Sequence, residues 1–395
     1  MSWAGMRIPW TEASVPHGTL DLLRGCNVSC PGCYNRHSPA VKPFQQIKDE
    51  LRQMMTLRRV QTVSLLGGEP TLHPQLADIV RHIAAQGIRV LLFSNGVLLT
   101  RGLIRELRQA GCDLIYLHIQ RDQRRPDLPA RPSRHQLQAL RRQKAELIAE
   151  HGVEVGLVTI GYKRALAEIY EIVGEVLDSP TMHFLTVIEY TNPSKFAGLT
   201  GDVRAGLSGP PMPHVRTGDE EEVVNQDITD MMEQRGMHPF AYLGSTTDED
   251  EPRWLFYRVG VVRPEVGGAS AVSLEAGLSD RLLFQLPYWV TGRHVFFHRA
   301  SPAVYRWQLL FNALSGGKCW KGLRLLAESC RPGAKLESKY LLFQQGPTLR
   351  ADGTVVFCRY CPDATVRNGR LVPVCLADRM REGQPDLPEV PLIVG

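Results

Sequence analysis

The sequence contains no apolar run that could cross a membrane and no recognisable export signal. No stretch approaches the ~18 apolar residues that a transmembrane helix needs. The first twenty residues lack the basic segment followed by an apolar segment that marks a secretory signal. These absences predict a cytoplasmic protein without a transmembrane segment.

The net charge of the sequence is also small. The 395 residues carry a net charge of +5, and 43% of them are hydrophobic and 22% charged. These fractions exclude disordered, collagen-like and fibrous proteins. The mildly basic balance is compatible with an anionic small molecule or a lipid headgroup, and it is too weak to predict a nucleic-acid partner.

Cysteine, in contrast, is abundant, with nine residues that include a group within 26–33 and a second within 358–375. An odd number of cysteines without an export signal argues against a disulfide framework. In a reducing compartment, clustered cysteines more often bind metal or carry out redox chemistry.

The first half alternates short apolar runs, rich in β-formers, with helical stretches. The predicted strands are Leu20–Arg24, Thr62–Leu66, Val90–Ser94, Leu114–Gln120, Glu154–Gly161 and His183–Tyr190. Six strands alternating with five helices predict an α/β fold with a parallel sheet and right-handed crossovers. We expect residues 1–195 to form a partial (β/α)6 TIM-like barrel.

Beyond residue 195 the alternation ends. Residues 196–252, rich in glycine, proline and acidic side chains, predict exposed loops or a lid. Residues 253–395 predict a smaller α+β domain with a strand at Trp254–Val262 and a helix near Ala303–Leu314.

Cys26, Cys30 and Cys33 directly follow the first predicted strand. Three thiolates within eight residues can bind three irons of one 4Fe–4S cluster and leave the fourth iron without a protein ligand. A structural zinc site normally has four protein ligands. A zinc loop, with His37 folded back as the fourth ligand, remains the alternative.

This C-x3-C-x2-C loop resembles the signature of the radical S-adenosylmethionine (SAM) superfamily. Gly67-Gly68-Glu69-Pro70 follows strand two and resembles the motif that binds the α-amino group of SAM. Ser94-Asn95-Gly96 follows strand three and is similar to the segment that contacts the ribose or methionine part. Barrel enzymes place their chemistry at these strand ends. Gly32 stands where the superfamily often has an aromatic residue, and Tyr34 is expected to pack on the adenine instead.

Strand four ends in His118-Ile119-Gln120, where many relatives have Ser-x-Asp. Alternation along a strand predicts that His118 and Gln120 share the lumenal face. They are the candidate catalytic residues, as positioning groups with no assigned acid or base role. For His118, a hydrogen-bonded core residue is the alternative. Thr159 and Glu189 are expected to be lumenal polar groups of the cofactor site.

The resemblance implies an enzyme in which SAM binds the open iron of a 4Fe–4S cluster. An electron from a donor such as flavodoxin or ferredoxin then cleaves SAM, and the 5′-deoxyadenosyl radical abstracts hydrogen from an unactivated C–H bond. A non-catalytic iron–sulfur electron-transfer protein is disfavoured, because it would have no use for motifs that bind SAM.

The second cysteine group consists of Cys358, Cys361 and Cys375. A hairpin turn at Asn368-Gly369 would bring Cys375 back to the other two. Since many radical SAM enzymes carry an auxiliary 4Fe–4S cluster at this position, the resemblance favours such a cluster over a zinc knuckle. Cys330 is expected to be its fourth ligand, with Cys319 as the alternative.

Two substrate classes follow from this tail and from residues 282–311. The spacing and residues 368–376 resemble the GTP 3′,8-cyclase of molybdenum-cofactor synthesis, in which three cysteines leave one iron free for the nucleotide. Residues 361–375 are also similar to radical SAM enzymes that couple archaeal-type lipid chains. Residues 282–311 concentrate aromatic and basic side chains, which predicts either ordinary core or an apolar channel with a basic mouth.

We therefore expect a lipid-like or isoprenoid substrate and a peripheral contact with a membrane, with the nucleotide cyclase as the alternative. About eighteen residues precede the first predicted strand. That is too few for a cobalamin-binding domain, which needs on the order of a hundred residues, or for a leader-peptide module.

Overall fold

The computed structural model describes residues 5–30, 33, 35, 39–191, 221–265, 268–294, 301–315, 319–351 and 354–377. The strands are β1 (Met6–Arg7), β2 (His17–Asp21), β3 (Thr62–Leu66), β4 (Arg89–Ser94), β5 (Cys112–His118), β6 (Glu154–Gly161), β7 (Met182–Glu189), β8 (Ala241–Gly244), β9 (Pro252–Arg263), β10 (Ser270–Leu274), β11 (Lys335–Gln345), β12 (Thr348–Leu349), β13 (Val355–Val356), β14 (Ala364–Arg367) and β15 (Arg370–Pro373). The helices are α1 (Phe44–Leu57), α2 (Leu76–Ala84), α3 (Arg101–Ala110), α4 (Arg134–Ala149), α5 (Leu166–Asp178), α6 (Asn225–Glu233), α7 (Leu278–Thr291), α8 (Pro302–Ser315), α9 (Cys319–Ser329) and α10 (Val374–Ala377).

Strands β2 to β7 lie side by side in chain order, and every neighbouring pair is parallel. This confirms the predicted α/β fold. The largest shift in position is in the first strand, which occupies His17–Asp21 rather than Leu20–Arg24. Leu22 and Leu23 are buried in the core, yet they already belong to the segment that leads into the cysteine loop.

The sheet continues beyond the six βα units. Strand β11 pairs with β7 in parallel, β9 pairs with β11 antiparallel, and β8 and β1 follow. The sheet therefore crosses the predicted boundary between residues 195 and 253, and the division into domains stays a prediction. Within the predicted lid, residues 221–252 contain α6 and β8 instead of loops alone, while residues 196–220 lie outside the described part.

The two faces of the sheet pack differently because side chains alternate along each strand. One face, with Leu92, Leu117 and Leu157, joins the buried residues of α1 to α5 in the main core. The concave face carries a separate cluster that includes Leu91, Tyr116 and Phe184. No helix among the described residues combines the length and the apolar character that a membrane span requires.

Candidate active site

Three cysteines lie on the loop that follows β2, at the carboxyl edge of the parallel strands. Asn95 Nδ2 lies 3.8 Å from Cys26 Sγ, and Gln123 Nε2 donates to Cys30 Sγ at 3.4 Å. The Cys30 thiol also interacts electrostatically with Cys33 and Cys26. Soft sulfur donors that accept N–H hydrogen bonds suit an iron–sulfur cluster. Among the described residues, no three His, Cys, Asp or Glu side chains are arranged in this structure so that they could hold a metal ion together.

The surroundings of these thiols affect their protonation. Burial raises the pKa of the Cys26 thiol, and it raises the pKa of Cys30 to about 12, with a further contribution from Cys33. Both thiols are therefore neutral at neutral pH when no metal is bound. Because metal binding requires thiolates, iron would displace these protons. The donor set fits a 4Fe–4S cluster held by three cysteines.

Gly67 and Gly68 allow the loop after β3 to lie directly on the backbone of the cysteine loop. The N–H of Gly68 donates to the carbonyl of Leu23 at 2.8 Å, and the N–H of Glu69 donates to the carbonyl of Gly25 at 2.9 Å. A Cβ at Gly68 would lie 1.9 Å from the Gly25 oxygen, and Gly67 has a φ of +137°. The paired glycines are thus required by the contact between the two loops.

The Glu69 carboxylate is buried and hydrogen-bonded on both oxygens. Oε1 accepts from Thr71 N, Thr71 Oγ1 and Ser94 Oγ at 3.1, 2.6 and 2.8 Å, and Oε2 accepts from Asn95 N at 2.7 Å. Burial raises the pKa of Glu69. The hydrogen bonds stabilise the carboxylate and oppose this shift without cancelling it. Pro70 begins the short 3-10 helix Pro70–Leu72. Glu69 therefore connects the loop after β3 with the loop after β4.

His118 and Gln120 form a hydrogen bond, although β5 ends at His118 and Gln120 lies beyond the strand that was predicted to place both on one face. Gln120 Oε1 lies 2.9 Å from His118 Nε2 and also accepts from Thr159 Oγ1 at 3.1 Å and Ile160 N at 2.9 Å. Burial lowers the His118 pKa. The ring is therefore neutral, with its proton on Nε2 toward Gln120, which leaves Nδ1 as an acceptor.

Two residues expected on the lumenal face belong to the other face. Thr159 shares a face of β6 with Leu157, and Glu189 shares a face of β7 with Leu185, and these two leucines pack in the helix-covered core. Thr159 contacts the site through Gln120. Both Glu189 carboxylate oxygens are buried without a hydrogen-bond partner in the described structure. Burial raises its pKa well above the usual range. Tyr34 lies outside the described residues.

Gln123 and Arg125 complete the site, although the sequence motifs did not single them out. Arg125 Nη2 donates to the carbonyl of Asn95 at 2.9 Å, and its Nη1 donates to Gln123 Oε1 at 2.9 Å. Gln123 also donates to the carbonyl of His118 at 3.1 Å. Their position shortly after β5, beside His118 and Gln120, is the available sequence signal. They link the cysteine loop to the loops after β4 and β5.

Residues 20–178 match the model of the radical SAM superfamily. That range contains the cysteine loop, the Gly67–Pro70 loop, the Ser94–Gly96 loop and His118 with Gln120. Residues 20–178 are a radical SAM domain. Proteins of this superfamily use a 4Fe–4S cluster and SAM, in agreement with the donor set.

Curated relatives resemble the radical SAM domain over about a quarter of the chain. The tungsten-containing aldehyde ferredoxin oxidoreductase cofactor-modifying protein of Pyrococcus furiosus is 30% identical over 103 residues, 25% of this chain and 28% of its own length. A GTP 3′,8-cyclase of Synechococcus is 34% identical over 112 residues, 25% of this chain and 32% of its own length. The chain thus matches about a third or less of these relatives.

Among solved structures, SuiB of Streptococcus suis matches 56% of this chain and 46% of its own chain, with 17% identity and a TM-score of 0.40.

In the second cysteine group, Cys358 and Cys361 lie within hydrogen-bond distance of each other, and Cys375 lies within range of an electrostatic interaction. The Cys361 thiol hydrogen-bonds with Cys358 and interacts electrostatically with Cys375, and burial, reinforced by Cys358, raises its pKa well above the usual range. Buried arginines border the group on two sides. Arg58 Nη1 donates to the carbonyl of Cys361 at 3.0 Å, and Arg253 interacts electrostatically with Cys358 and Cys375.

A hairpin carries Cys375 back to its partners, as the sequence predicts. Strands β14 and β15 are antiparallel, and Asn368 and Gly369 between them have φ values of +49° and +75°. The hairpin contacts the radical SAM domain through Arg367 Nη2, which lies 2.9 Å from Asp21 Oδ2. Asp21 ends β2, the strand that leads into the first cysteine loop. This ion pair therefore links the hairpin that precedes Cys375 to the strand that precedes Cys26.

The structure does not bring Cys330 to this group. Its side chain is exposed just beyond α9, before the start of β11 at Lys335. The cysteine group lies at the other end of β11. There Gln344 pairs with Trp254, the neighbour of Arg253. Arg253 in turn donates to the carbonyl of Val356, two residues before Cys358. At ~3.3 Å per residue, β11 separates its two ends by roughly 30 Å. The side chain of Cys319 lies outside the part of the chain that the structure describes.

An apolar cavity of about 320 Å³ opens on the concave face, between the sheet and helices α7 and α8. Its walls include Tyr116, Phe184 and Tyr340 from three strands and Leu283 and Val304 from the two helices. Tyr116 lies two positions before His118 on β5. At ~3.3 Å per residue, the cavity therefore begins about 7 Å from the His118 position.

The charged residues at the cavity are not the ones expected from residues 282–311. His294 is buried and stacks on Phe284 and Tyr288, with ring centroids at 4.9 and 4.5 Å. Charged groups of the cavity wall come from Arg258 and Asp280, with Arg258 Nη1 at 3.8 Å from Asp280 Oδ1. His298 and Arg299 lie outside the described residues.

Proposed function

We propose that the protein is a radical SAM enzyme that reductively cleaves SAM and abstracts hydrogen from an unactivated C–H bond of a lipid-like or isoprenoid molecule. The apolar cavity on the concave face carries the substrate part of this proposal. It is lined mainly by aromatic and aliphatic side chains, and its ~320 Å³ suits a hydrocarbon segment. Its position near His118 would direct that segment toward the carboxyl edge of the strands.

In this proposal Cys26, Cys30 and Cys33 hold the first cluster, and the loops after β3 and β4 bind SAM. When bound, the cluster supplies the electron that cleaves SAM to methionine and a 5′-deoxyadenosyl radical. Glu69 keeps the two SAM-binding loops together. His118, neutral and oriented by Gln120, offers Nδ1 as an acceptor for a polar group of the substrate.

Cys358, Cys361 and Cys375 hold the proposed auxiliary 4Fe–4S cluster. We also propose a cytoplasmic location and a small electron donor of the flavodoxin or ferredoxin type. These follow from the clustered thiols, which need a reducing environment, and from the electron that SAM cleavage consumes.

A GTP 3′,8-cyclase-like reaction is the second candidate. The proximity of Cys358, Cys361 and Cys375, with Cys330 exposed elsewhere, favours it, because a cluster with three protein ligands leaves one iron open for a nucleotide. The similarity to a GTP 3′,8-cyclase of Synechococcus covers 25% of the chain and adds support for the SAM-binding part alone.

Deuterium transfer would distinguish the two substrate classes. The anaerobic enzyme is incubated with SAM and a reductant, together with either perdeuterated lipid extract or deuterated GTP. We expect deuterium in 5′-deoxyadenosine from the lipid extract, and expect Leu342→Trp, which fills the cavity, to lose this transfer while still cleaving SAM. Transfer from GTP alone would refute the lipid assignment and support the cyclase reaction.

A further inference from the structure

Helices α7 and α8 expose large apolar side chains on the surface above the cavity. On α7 the exposed residues recur at helical spacing, at Leu278, Leu282, Leu286, Trp289 and Val290. On α8 they are Val304, Trp307, Phe311 and Leu314. The two helices pack against each other, and α9 packs against α8. We call these nine residues the apolar face.

Tryptophan is concentrated on these three helices. Of the six tryptophans in the chain, Trp289, Trp307 and Trp320 are 66%, 59% and 79% exposed, whereas Trp10 and Trp254 are each 3% exposed. Exposure of the largely apolar indole ring to water is unfavourable. The ring is favoured at the boundary between lipid headgroups and acyl chains, where its apolar part leaves water and its N–H can still form hydrogen bonds. Three of them on adjoining helices indicate a surface that is covered in the working protein.

The charge of the same segment indicates what covers it. Residues 278–331 contain eight Lys or Arg and two Asp or Glu, a net charge of +6, compared with +5 for the whole chain. Of the two acids, Asp280 is buried and Glu328 pairs with Arg324, whose side chain is 75% exposed. Basic residues around an apolar face are complementary to anionic headgroups. In a two-fold contact between copies, this surface would face itself and like charges would repel.

We propose that the apolar face, with the basic residues around it, docks the protein on an anionic lipid bilayer. Helices α7 and α8 lie along the headgroup boundary, Trp289 and Trp307 enter it, and Lys321 and Arg324 contact phosphate groups. Leu283 and Val304, which are 44% and 50% exposed, also line the cavity. The docked surface therefore borders the cavity at these two residues, so a membrane lipid can enter there without crossing water. The cavity part rests on the proposed function, but the docking does not.

The test is binding of the full-length, cluster-loaded protein to vesicles without SAM or reductant. The vesicles contain equal amounts of phosphatidylglycerol and phosphatidylcholine, or phosphatidylcholine alone, and brominated acyl chains report contact by quenching tryptophan. We expect co-sedimentation and quenching with the anionic vesicles. Trp307→Ser/Phe311→Ser should lower the affinity about tenfold or more, whereas Met55→Ser/Val224→Ser, also at exposed apolar positions, should not change it.

Charge is tested separately. Lys321→Glu/Arg324→Glu should weaken binding to the anionic vesicles by roughly fivefold per charge, while Arg105→Glu/Arg142→Glu, on α3 and α4, should have a much smaller effect. Equal binding by the apolar-face variant and its control would overturn the proposal. So would a dimer in sedimentation velocity that only Trp307→Ser/Phe311→Ser abolishes, because a second copy would then cover the face. Since no SAM is present, failure here leaves SAM cleavage untested and the proposed function standing.

Discussion

Glu69 Oε2 accepts a hydrogen bond from the backbone N–H of Asn95 at 2.7 Å, which joins the second SAM motif to the third. The same carboxylate accepts from Ser94 Oγ at 2.8 Å. The acid therefore organises two neighbouring loops before any ligand arrives. It also fixes the position of Asn95.

Glu69→Gln should weaken SAM binding while the first cluster remains. The amide replaces one acceptor oxygen with a donor, so hydrogen bonds to a charged group worth ~1.5–3 kcal/mol are lost or weakened. We expect the dissociation constant of SAM to rise roughly tenfold to a hundredfold, measured by anaerobic calorimetry. Asp78→Asn, in an exposed pair with Arg81 on α2, is the matched control. Unchanged affinity would mean that neither the loop connection nor the carboxylate matters for SAM.

Gln123 should influence the redox potential of the first cluster. Its amide donates to Cys30 Sγ at 3.4 Å, and hydrogen bonds to cluster sulfurs stabilise the reduced, more negative state. Gln123→Leu should lower the midpoint potential by roughly 40 mV, the equivalent of about 1 kcal/mol for one electron. Redox titration followed by paramagnetic resonance measures the shift. If the potential is unchanged while the iron content is full, this hydrogen bond has no role in tuning the cluster.

Iron content should reveal two clusters. The anaerobically reconstituted protein should contain about eight irons per chain, four at each cysteine group. The Cys358→Ala/Cys361→Ala/Cys375→Ala variant should retain about four. Cys330→Ala should retain all of them, because its exposed thiol lies far from the group. About four irons together with one zinc in the unmodified protein would identify the C-terminal group as a zinc site.

Much of the barrel could be predicted from the sequence because short apolar runs and helical periodicity report on local structure. Thr62–Leu66 and Glu154–Gly161 were predicted with the bounds that the structure has. The strand that carries His118 was predicted two residues too far along the chain, as Leu114–Gln120 rather than Cys112–His118. The Asn368-Gly369 turn followed from the backbone preference of its residues.

The remaining features depend on long-range contacts that no local pattern records. Pairing of β11 with β7 joins residues more than 150 positions apart, so the continuous sheet could not be anticipated. Gln123 and Arg125 look like ordinary polar loop residues until the fold places them against Cys30 and Asn95. Cys330 was expected at the second group because the Pro-Gly turn that follows it could bring it inward, but β11 separates the two in space.

Formation of 5′-deoxyadenosine under anaerobic, reducing conditions tests directly whether this protein is a radical SAM enzyme. We expect the reconstituted protein to cleave SAM and the single changes of Cys26, Cys30 or Cys33 to Ala to abolish cleavage, while the exposed Cys330→Ala control retains it. If the triple Cys26→Ala/Cys30→Ala/Cys33→Ala variant still forms 5′-deoxyadenosine, these cysteines do not hold the cluster that cleaves SAM, and the radical SAM assignment fails. The same holds if the unmodified protein, with its full iron content, forms none.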